Sequence, residues 1–407
     1  MVEDLILAVL RKFRILFLII VFSSSCTNKK GHSLDNLFTL LPSTSTGVTF
    51  ENHISYTEEF NPYTFRNFFN GGGVAIGDIN NDGLPDVFFS ANQQSNRLYL
   101  NKGNFQFQDI TQNAGVTSDG IWSTGVTMAD VNGDGFLDIY VCKSGDLKGK
   151  NRSNELFINN GTSPSTNGGG EVTFTEKAKE YGLDNRGLST HAAFFDCDND
   201  GDLDCYLLNN SFRSVGNYDL IKDQRNIPDS LGGNKLYRND GNHFSDVTKD
   251  VGIYSSKIGF GLGVTISDIN KDGWQDIYVS NDFFEKDYLY INRRNGTFFE
   301  ALEKPIREIS MNSMGADIAD INNDGFSDIY VTDMFPEEES RIKTKTNFEN
   351  WDKYVANTSS GYYKQFVRNS LQLNLGPVPG SNNSANEVYF SEISRYANAS
   401  ATDWSWG

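Results

Sequence analysis

Five short segments of the chain repeat one spacing of acidic and amide side chains: Asp78, Asn80, Asp82, Asp86; Asp130, Asn132, Asp134, Asp138; Asp196, Asp198, Asp200, Asp204; Asp268, Asn270, Asp272, Asp276; and Asp320, Asn322, Asp324, Asp328. Each reads Asp-x-Asn/Asp-x-Asp-Gly-x-x-Asp, with Gly83, Gly135, Gly201, Gly273 or Gly325 at position 6. Oxygen donors at positions 1, 3 and 5 converge on one point when the chain turns tightly, and the glycine permits that turn. The backbone carbonyl of position 7 adds a donor from Leu84, Phe136, Asp202, Trp274 and Phe326, and position 9 is aspartate throughout. Hard oxygen ligands in a tolerant turn suit calcium, which takes about 6–8 oxygens, better than magnesium, which demands strict octahedral geometry. An EF-hand is excluded: position 12 is Phe89 in the first loop and Val141 in the second, within apolar runs, where that motif needs glutamate between helices.

Sixteen carboxylates stand at these ligand positions, and the formal net charge of the 407 residues is −18. Five calcium ions would bring that charge to −8. Without a cation the carboxylates of each hairpin repel, so folding is expected to be linked to calcium. The missing position-12 glutamate implies modest affinity, on the order of 10⁻⁴ M.

The loops must be held by strands. Before each comes a short apolar run, GVAIGD, GVTMAD, HAAFFD, GVTISD or GADIAD; after it comes DVFFS, DIYVC, DCYLL, DIYVS or DIYVT. A third run is bracketed by Asn or Asp, as in Asn96–Asn101 and Asn154–Asn159, and a fourth reads Phe-x-Asp/Glu, as in Phe107-Gln108-Asp109. Four strands per unit with turn residues between them make one blade of a β-propeller, an all-β fold whose units cover each other's faces. Insertions at 144–153, 161–171, 211–233 and 335–368 are expected to be surface loops.

The register extends further. Gly73, Gly125, His191, Gly263 and Gly315 stand five residues before each first aspartate, and Gly407 fits the same slot. A sixth loop is therefore expected about five residues past Gly407, leaving five complete blades here. Phe38-Thr39-Leu40-Leu41 with Thr46-Gly47-Val48 matches the run from Phe107 to Val116, so the N-terminus is expected to supply an outer strand that closes the ring.

These units resemble FG-GAP/VCBS repeats, the calcium-loop blades also found in integrin α chains. The stretch 47–407 is similar to bacterial relatives of cartilage acidic protein, the ASPIC/UnbV type, most visibly in Asn70–Phe89 and Ile258–Asn292. The resemblance implies seven blades, often a C-terminal ASPIC/UnbV domain, and no established catalytic activity. The sequence itself carries five units and no such tail.

The acidic balance argues against nucleic acid, which needs a basic surface. At the N-terminus Arg11, Lys12 and Arg14 precede an apolar run from Ile15 to Phe22, then Ser23-Ser24-Ser25-Cys26. That order is a secretory signal, too short to span a bilayer. Cys26 after small residues resembles a bacterial lipoprotein cleavage site, with Cys26 the lipid-bearing residue; ordinary signal cleavage is the alternative. The expected organisation is a lipoprotein-type signal at 1–25, a polar tether at 26–36 and the propeller over 37–407. Export to the bacterial outer membrane, on its periplasmic or outer side, follows.

Cys197 and Cys205 take slots that are apolar in the other units, so both should be buried and close across one hairpin, either as free thiols or as a disulfide. Cys142 is expected to be buried. The four histidines, 32, 53, 191 and 243, show no zinc spacing, and His191 suits packing better than catalysis. Gly71-Gly72-Gly73 leads into a strand, which excludes a dinucleotide cradle. A glycosidase reading has few carboxylates left once the loops are assigned. The expected function is a calcium-stabilised, non-enzymatic binding or adhesion module of the cell envelope for glycan or protein ligands, meeting membrane only through its lipid. A polysaccharide-active enzyme or its accessory subunit is the alternative.

Overall fold

The computed structural model describes residues 38–118, 122–145, 152–163, 171–211, 224–345, 351–377 and 387–403. The expected signal, the tether and Cys26 lie outside the described residues. The chain divides into a unit over Met1–Thr46 and one over Gly47–Gly407. In the first, the described part carries a short helix, Ser43–Thr46, and no strand forms at Phe38–Leu41.

The second unit contains five four-stranded antiparallel sheets, each a meander in chain order. The first blade runs Val74–Gly77, Asp86–Phe89, Arg97–Asn101 and Phe107–Asp109. The second runs Ser123–Ala129, Asp138–Lys143, Glu155–Ser163 and Glu171–Glu176, and the third Ser189–Phe195, Asp204–Asn209, Lys235–Asn239 and Phe244–Asp246. The fourth comprises Gly261–Ser267, Asp276–Asn281, Tyr288–Asn292 and Phe298–Glu300, and the fifth Gly315–Ala319, Asp328–Thr332, Ser370–Pro377 and Val388–Glu392. These are the strands the repeat predicts. The 335–368 insertion holds helices Glu339–Lys345 and Trp351–Ser359, and its Gln365–Phe366 pairs in parallel with Ile309–Ser310.

Apolar clusters form between successive blades. Ala75, Phe88 and Leu98 of the first meet Val126, Ile139 and Phe157 of the second; comparable clusters join second to third, third to fourth and fourth to fifth. The second strands of the three middle blades are buried at every residue, because a neighbour covers each face. That explains their near-continuous Ile, Tyr, Val and Leu. The outward faces of the end blades differ. Val74 and Ile76 are 56% and 67% exposed, while Val126, at the equivalent place in the next blade, is 4% exposed. Ile321 is 52% exposed where Ile79, Val131, Cys197 and Ile269 are buried.

Two backbone devices recur between blades. The asparagine closing each third strand donates its amide to the position-2 carbonyl of the preceding blade's loop: Asn159 to Ile79 at 2.9 Å, Asn239 to Val131 at 3.2 Å, Asn292 to Cys197 at 2.8 Å and Asn374 to Ile269 at 3.1 Å. Second, a left-handed glycine following the fourth strand lies against a carbonyl on the next blade's fourth strand. A Cβ on Gly182 would sit 2.6 Å from the Phe244 oxygen, and one on Gly252 2.5 Å from that of Phe298. Gly47 makes the same approach to Phe107, at 2.5 Å. Gly47 thus does for the first blade what the glycine of a preceding blade does elsewhere.

The three described cysteines are free and buried. Cys197 and Cys205 do not face each other, which corrects the expectation from sequence. Cys205 is registered with Phe194, on the face that joins Cys142 and the second blade, whereas Cys197 follows Phe195 onto the face packed against the fourth. Loop positions 2 and 10 straddle the hairpin, so their side chains leave on opposite sides of the sheet.

Asn292→Ala should cost about 1–3 kcal/mol, because it strands the buried Cys197 carbonyl. Asn101→Ala should cost less, since the Asn101 amide reaches only Pro85 of its own loop. Urea unfolding in saturating calcium measures both, and equal losses would contradict an inter-blade role for the asparagine.

Candidate metal sites in the blade hairpins

Each loop joins the first strand of its blade to the second. Two residues per loop are left-handed: position 4, which is Asn81, Gly133, Asn199, Lys271 or Asn323, and the position-6 glycine. A Cβ on Gly83, Gly135, Gly201 or Gly273 would meet nothing within 4 Å, so these glycines answer to φ near +85° to +98° and not to crowding. The alternation aims successive N–H groups inward. Asp78 Oδ1 accepts from Asp82 N at 3.1 Å and its Oδ2 from Gly83 N at 2.7 Å, while Asp82 Oδ1 accepts from Leu84 N at 2.8 Å. Asp130, Asp196, Asp268 and Asp320 repeat the first pair of contacts. Asp134, Asp200, Asp272 and Asp324 repeat the last, to Phe136, Asp202, Trp274 and Phe326.

Position 9 is the buried member. Asp86, Asp138, Asp204, Asp276 and Asp328 are each at most 1% exposed. One carboxylate oxygen accepts from the position-2 N–H, of Ile79, Val131, Cys197, Ile269 or Ile321. The other accepts from the backbone N–H of the asparagine that closes the third strand: Asn101, Asn159, Asn239, Asn292 or Asn374. The charges that act on Asp86, Asp138 and Asp276 are those of the other aspartates of their loops. Burial first, and then repulsion from the aspartates at positions 5 and 1, raises the Asp86 pKa to about 6 and those of Asp138 and Asp276 to about 7.

The loops are not identical. Asn80, Asn132, Asn270 and Asn322 donate their amides to the position-5 carboxylate. In the third loop position 3 is Asp198, which has no amide to give. Carboxylate oxygens of Asp196, Asp198 and Asp204 lie within 4.8 Å of one another, and Asp198 Oδ1 is buried without a hydrogen-bond partner. Burial raises the pKa of Asp198, with Asp200 and Asp196 adding to the effect. An orphaned carboxylate oxygen facing two others fits a divalent cation, so this cluster could hold a metal ion. In the fourth loop Arg294 Nε donates to Asp272 Oδ2 at 3.0 Å, and Arg238 beside Asp198 and Lys271 beside Asp324 also bring positive charge to the third and fifth loops.

The first strands line a cavity of about 360 Å³ on the axis, where Gly73, Gly125, Gly263 and Gly315 bring backbones together. A Cβ on Gly125 would sit 2.4 Å from the Thr190 carbonyl. His191 holds the fifth of these positions, and burial pushes its imidazole pKa down. The Gly71-Gly72-Gly73 run leads into the strand Val74–Gly77, so no helix N-terminus stands there.

Known proteins share parts of this sequence. Residues 78–141 and 268–331 are FG-GAP-like repeats. Each matched FG-GAP-like segment runs from the first aspartate of one loop through the second strand of the following blade, and so contains two loops. The chain is distantly related to cartilage acidic protein 1: it is 26% identical to that of Xenopus tropicalis over 254 residues, 61% of this chain and 34% of the relative. The human protein is 26% identical over 56% of this chain and 31% of its own length. The chain therefore spans about a third of these relatives. Human integrin alpha-6 is 39% identical over 85 residues, 18% of this chain and 7% of the integrin. Among solved structures, an Agrocybe aegerita lectin described as recognising non-reducing terminal N-acetylglucosamine aligns over 63% of this chain and 60% of its own, at 18% identity and a TM-score of 0.37.

Metal-free stability should depend on pH with a defined sign. Asp138 and Asp276 sit near 7 in the fold and near about 3.9 when unfolded, so between those values the folded chain holds protons that the unfolded chain releases. The thermal midpoint in metal-free buffer should fall as pH rises from 5 to 7.5. Saturating calcium, which holds the carboxylates ionised in the fold as they already are in the unfolded chain above about pH 5, should flatten the slope. A metal-free midpoint that rises with pH would contradict this electrostatic account.

Proposed function

We propose that this chain is an exported, calcium-stabilised binding module of the bacterial cell envelope, anchored by lipid at Cys26 and presenting loops to glycan or protein ligands. Calcium, about five ions in all, takes the oxygens at positions 1, 3, 5, 7 and 9 of each hairpin loop. The observation that carries this reading is the position-9 aspartate. It is buried, bonded to backbone on both oxygens and close to further loop carboxylates, an arrangement that a bound cation relieves and that leaves the aspartate no freedom to act as an acid or base.

The loop aspartates are committed in the same way at positions 1 and 5, each accepting N–H groups of its own turn. A polysaccharide-active enzyme would have to draw its acids from elsewhere. The anchor reading rests on the order of charge, apolar run and small residues before Cys26. Outer-membrane placement, on either side, follows from the lipid and not from a spanning segment; no helix among the described residues is long and apolar enough to cross a membrane.

The thermal midpoint should rise with calcium over chelator, and equal midpoints would remove the structural role of the metal. Cys26→Ser should move the protein from the membrane fraction to the soluble one on cell fractionation, and unchanged partitioning would dismiss the lipid anchor. A glycan and protein array run beside a polysaccharide turnover screen should give binding without turnover. Turnover would place the chain with polysaccharide-active enzymes.

A further inference from the structure

The blade ends opposite the metal loops, where first strands begin and second strands finish, are covered by the segment from Phe60 to Phe69. The rings of Phe60, Phe65 and Phe68 gather round Trp122 with centroids 5.0, 5.4 and 5.2 Å away, and Leu188 completes the cluster. The backbone of this segment bonds largely to itself: Phe65 N donates to Asn61 O, Phe68 N to Phe65 O and Asn70 N to Asn67 O. Its grip on the blades is an aromatic wedge together with the Arg66 guanidinium, which lies over the Phe260 and Phe283 rings at 5.4 and 5.3 Å.

What the wedge covers is polar. Both amide atoms of Asn67, both of Asn210, the Trp122 Nε1 and the Ser144 Oγ are buried without a hydrogen-bond partner. None of the four residues is more than 2% exposed. The backbone gathers them: Ser144 N donates to the Trp122 carbonyl at 3.1 Å, and Asn210 N to the Leu188 carbonyl at 2.8 Å. Folded proteins leave few buried polar groups unpaired, and a group of them at one place calls for a cause. Their tight covering excludes bulk water as that cause. Three of the four residues belong to the blades and one to the covering segment, so the mismatch lies at the surface between them.

We propose that Phe60–Phe69 is a plug occupying, in cis, a binding site for a small uncharged polyhydroxylated ligand. Trp122 is the platform for the apolar face of such a ligand, where Phe68 now lies. Trp122 Nε1 and the Ser144 hydroxyl donate to its hydroxyl groups, and the Asn210 amide both donates and accepts. The four unpaired side chains carry no charge, which matches a sugar or other polyol and not an ion. The inference rests on the binding-module reading and adds to it a site that is closed in the resting chain.

The test uses the full chain in calcium. Phe68→Ala should speed hydrogen exchange at the Trp122 and Asn210 amides. It should also raise affinity for at least one of cellotriose, chitotriose and mannotriose by tenfold or more over the native chain, with Asn210→Leu added to Phe68→Ala removing the gain. Faster exchange with no gain for any trisaccharide overturns the ligand site, and unchanged exchange overturns the plug. Asn67→Leu covers the case in which Phe68→Ala fails to fold. Exchanging an unpaired buried amide for a near-isosteric apolar group should raise the thermal midpoint, and a lowered midpoint would show that the amide is already satisfied and overturn the inference. If the native chain binds array glycans and Phe68→Ala gains nothing, the plug fails and the binding module stands; if neither binds any glycan or protein, both fail.

Discussion

A carboxylate placed where water cannot reach it is the constraint on which the rest of this structure depends. The position-9 aspartate of each loop ends one hairpin, begins the most buried strand of the blade and receives the backbone of the third strand. Burial of an ionised group costs far more than two N–H groups return. Around Asp86, Asp138 and Asp276 the nearby loop aspartates add repulsion, so a divalent cation is the fitting compensation. A cation bound there would let an ion stand at the foot of a strand otherwise made of Ile, Tyr, Val and Leu.

The same aspartate links local chemistry to long-range order. In the second to fifth blades the asparagine whose N–H it accepts turns its side chain to the loop of the blade before, and Gly115, Gly182 and Gly252, after the first three outer strands, fit against the blade that follows. Inter-blade contact therefore does not rest on apolar burial alone. Threonines of the first strands add to it: Thr127 Oγ1 donates to the Ala192 carbonyl at 2.6 Å, and Thr265 Oγ1 to that of Ala316 at 2.7 Å. Such directional bonds fix the angle between sheets, which side-chain packing by itself leaves loose.

Much of this was legible in the sequence because it repeats. Five copies of one spacing located the loops, and alternating apolar runs at fixed offsets located twenty strands. What escaped was whatever a single unit cannot express. The asparagine closing each third strand is visible in all five units, yet alone it reads as a turn bracket, since its partner lies in another blade. The cysteines misled for a related reason. Positions 2 and 10 are both apolar slots near one hairpin, but the side each faces is set by strand alternation against two different neighbours. The cover over Trp122 has no counterpart in the repeats, so periodicity could not reveal it. The loops differ in ways the pattern understated too: the third hairpin carries an extra carboxylate, Asp198, and the fourth an ion pair between Arg294 and Asp272.

The asparagine staple also gives the chain a direction in time. The loop carbonyl it satisfies lies 80 to 108 residues earlier in the sequence. A blade leaving a ribosome or a translocation pore thus emerges with its hairpin unfinished, and stays so until most of the next blade has followed. Each unit completes its predecessor and waits on its successor, so during chain emergence the unit most recently formed is the one whose loop carbonyl is still unpaired.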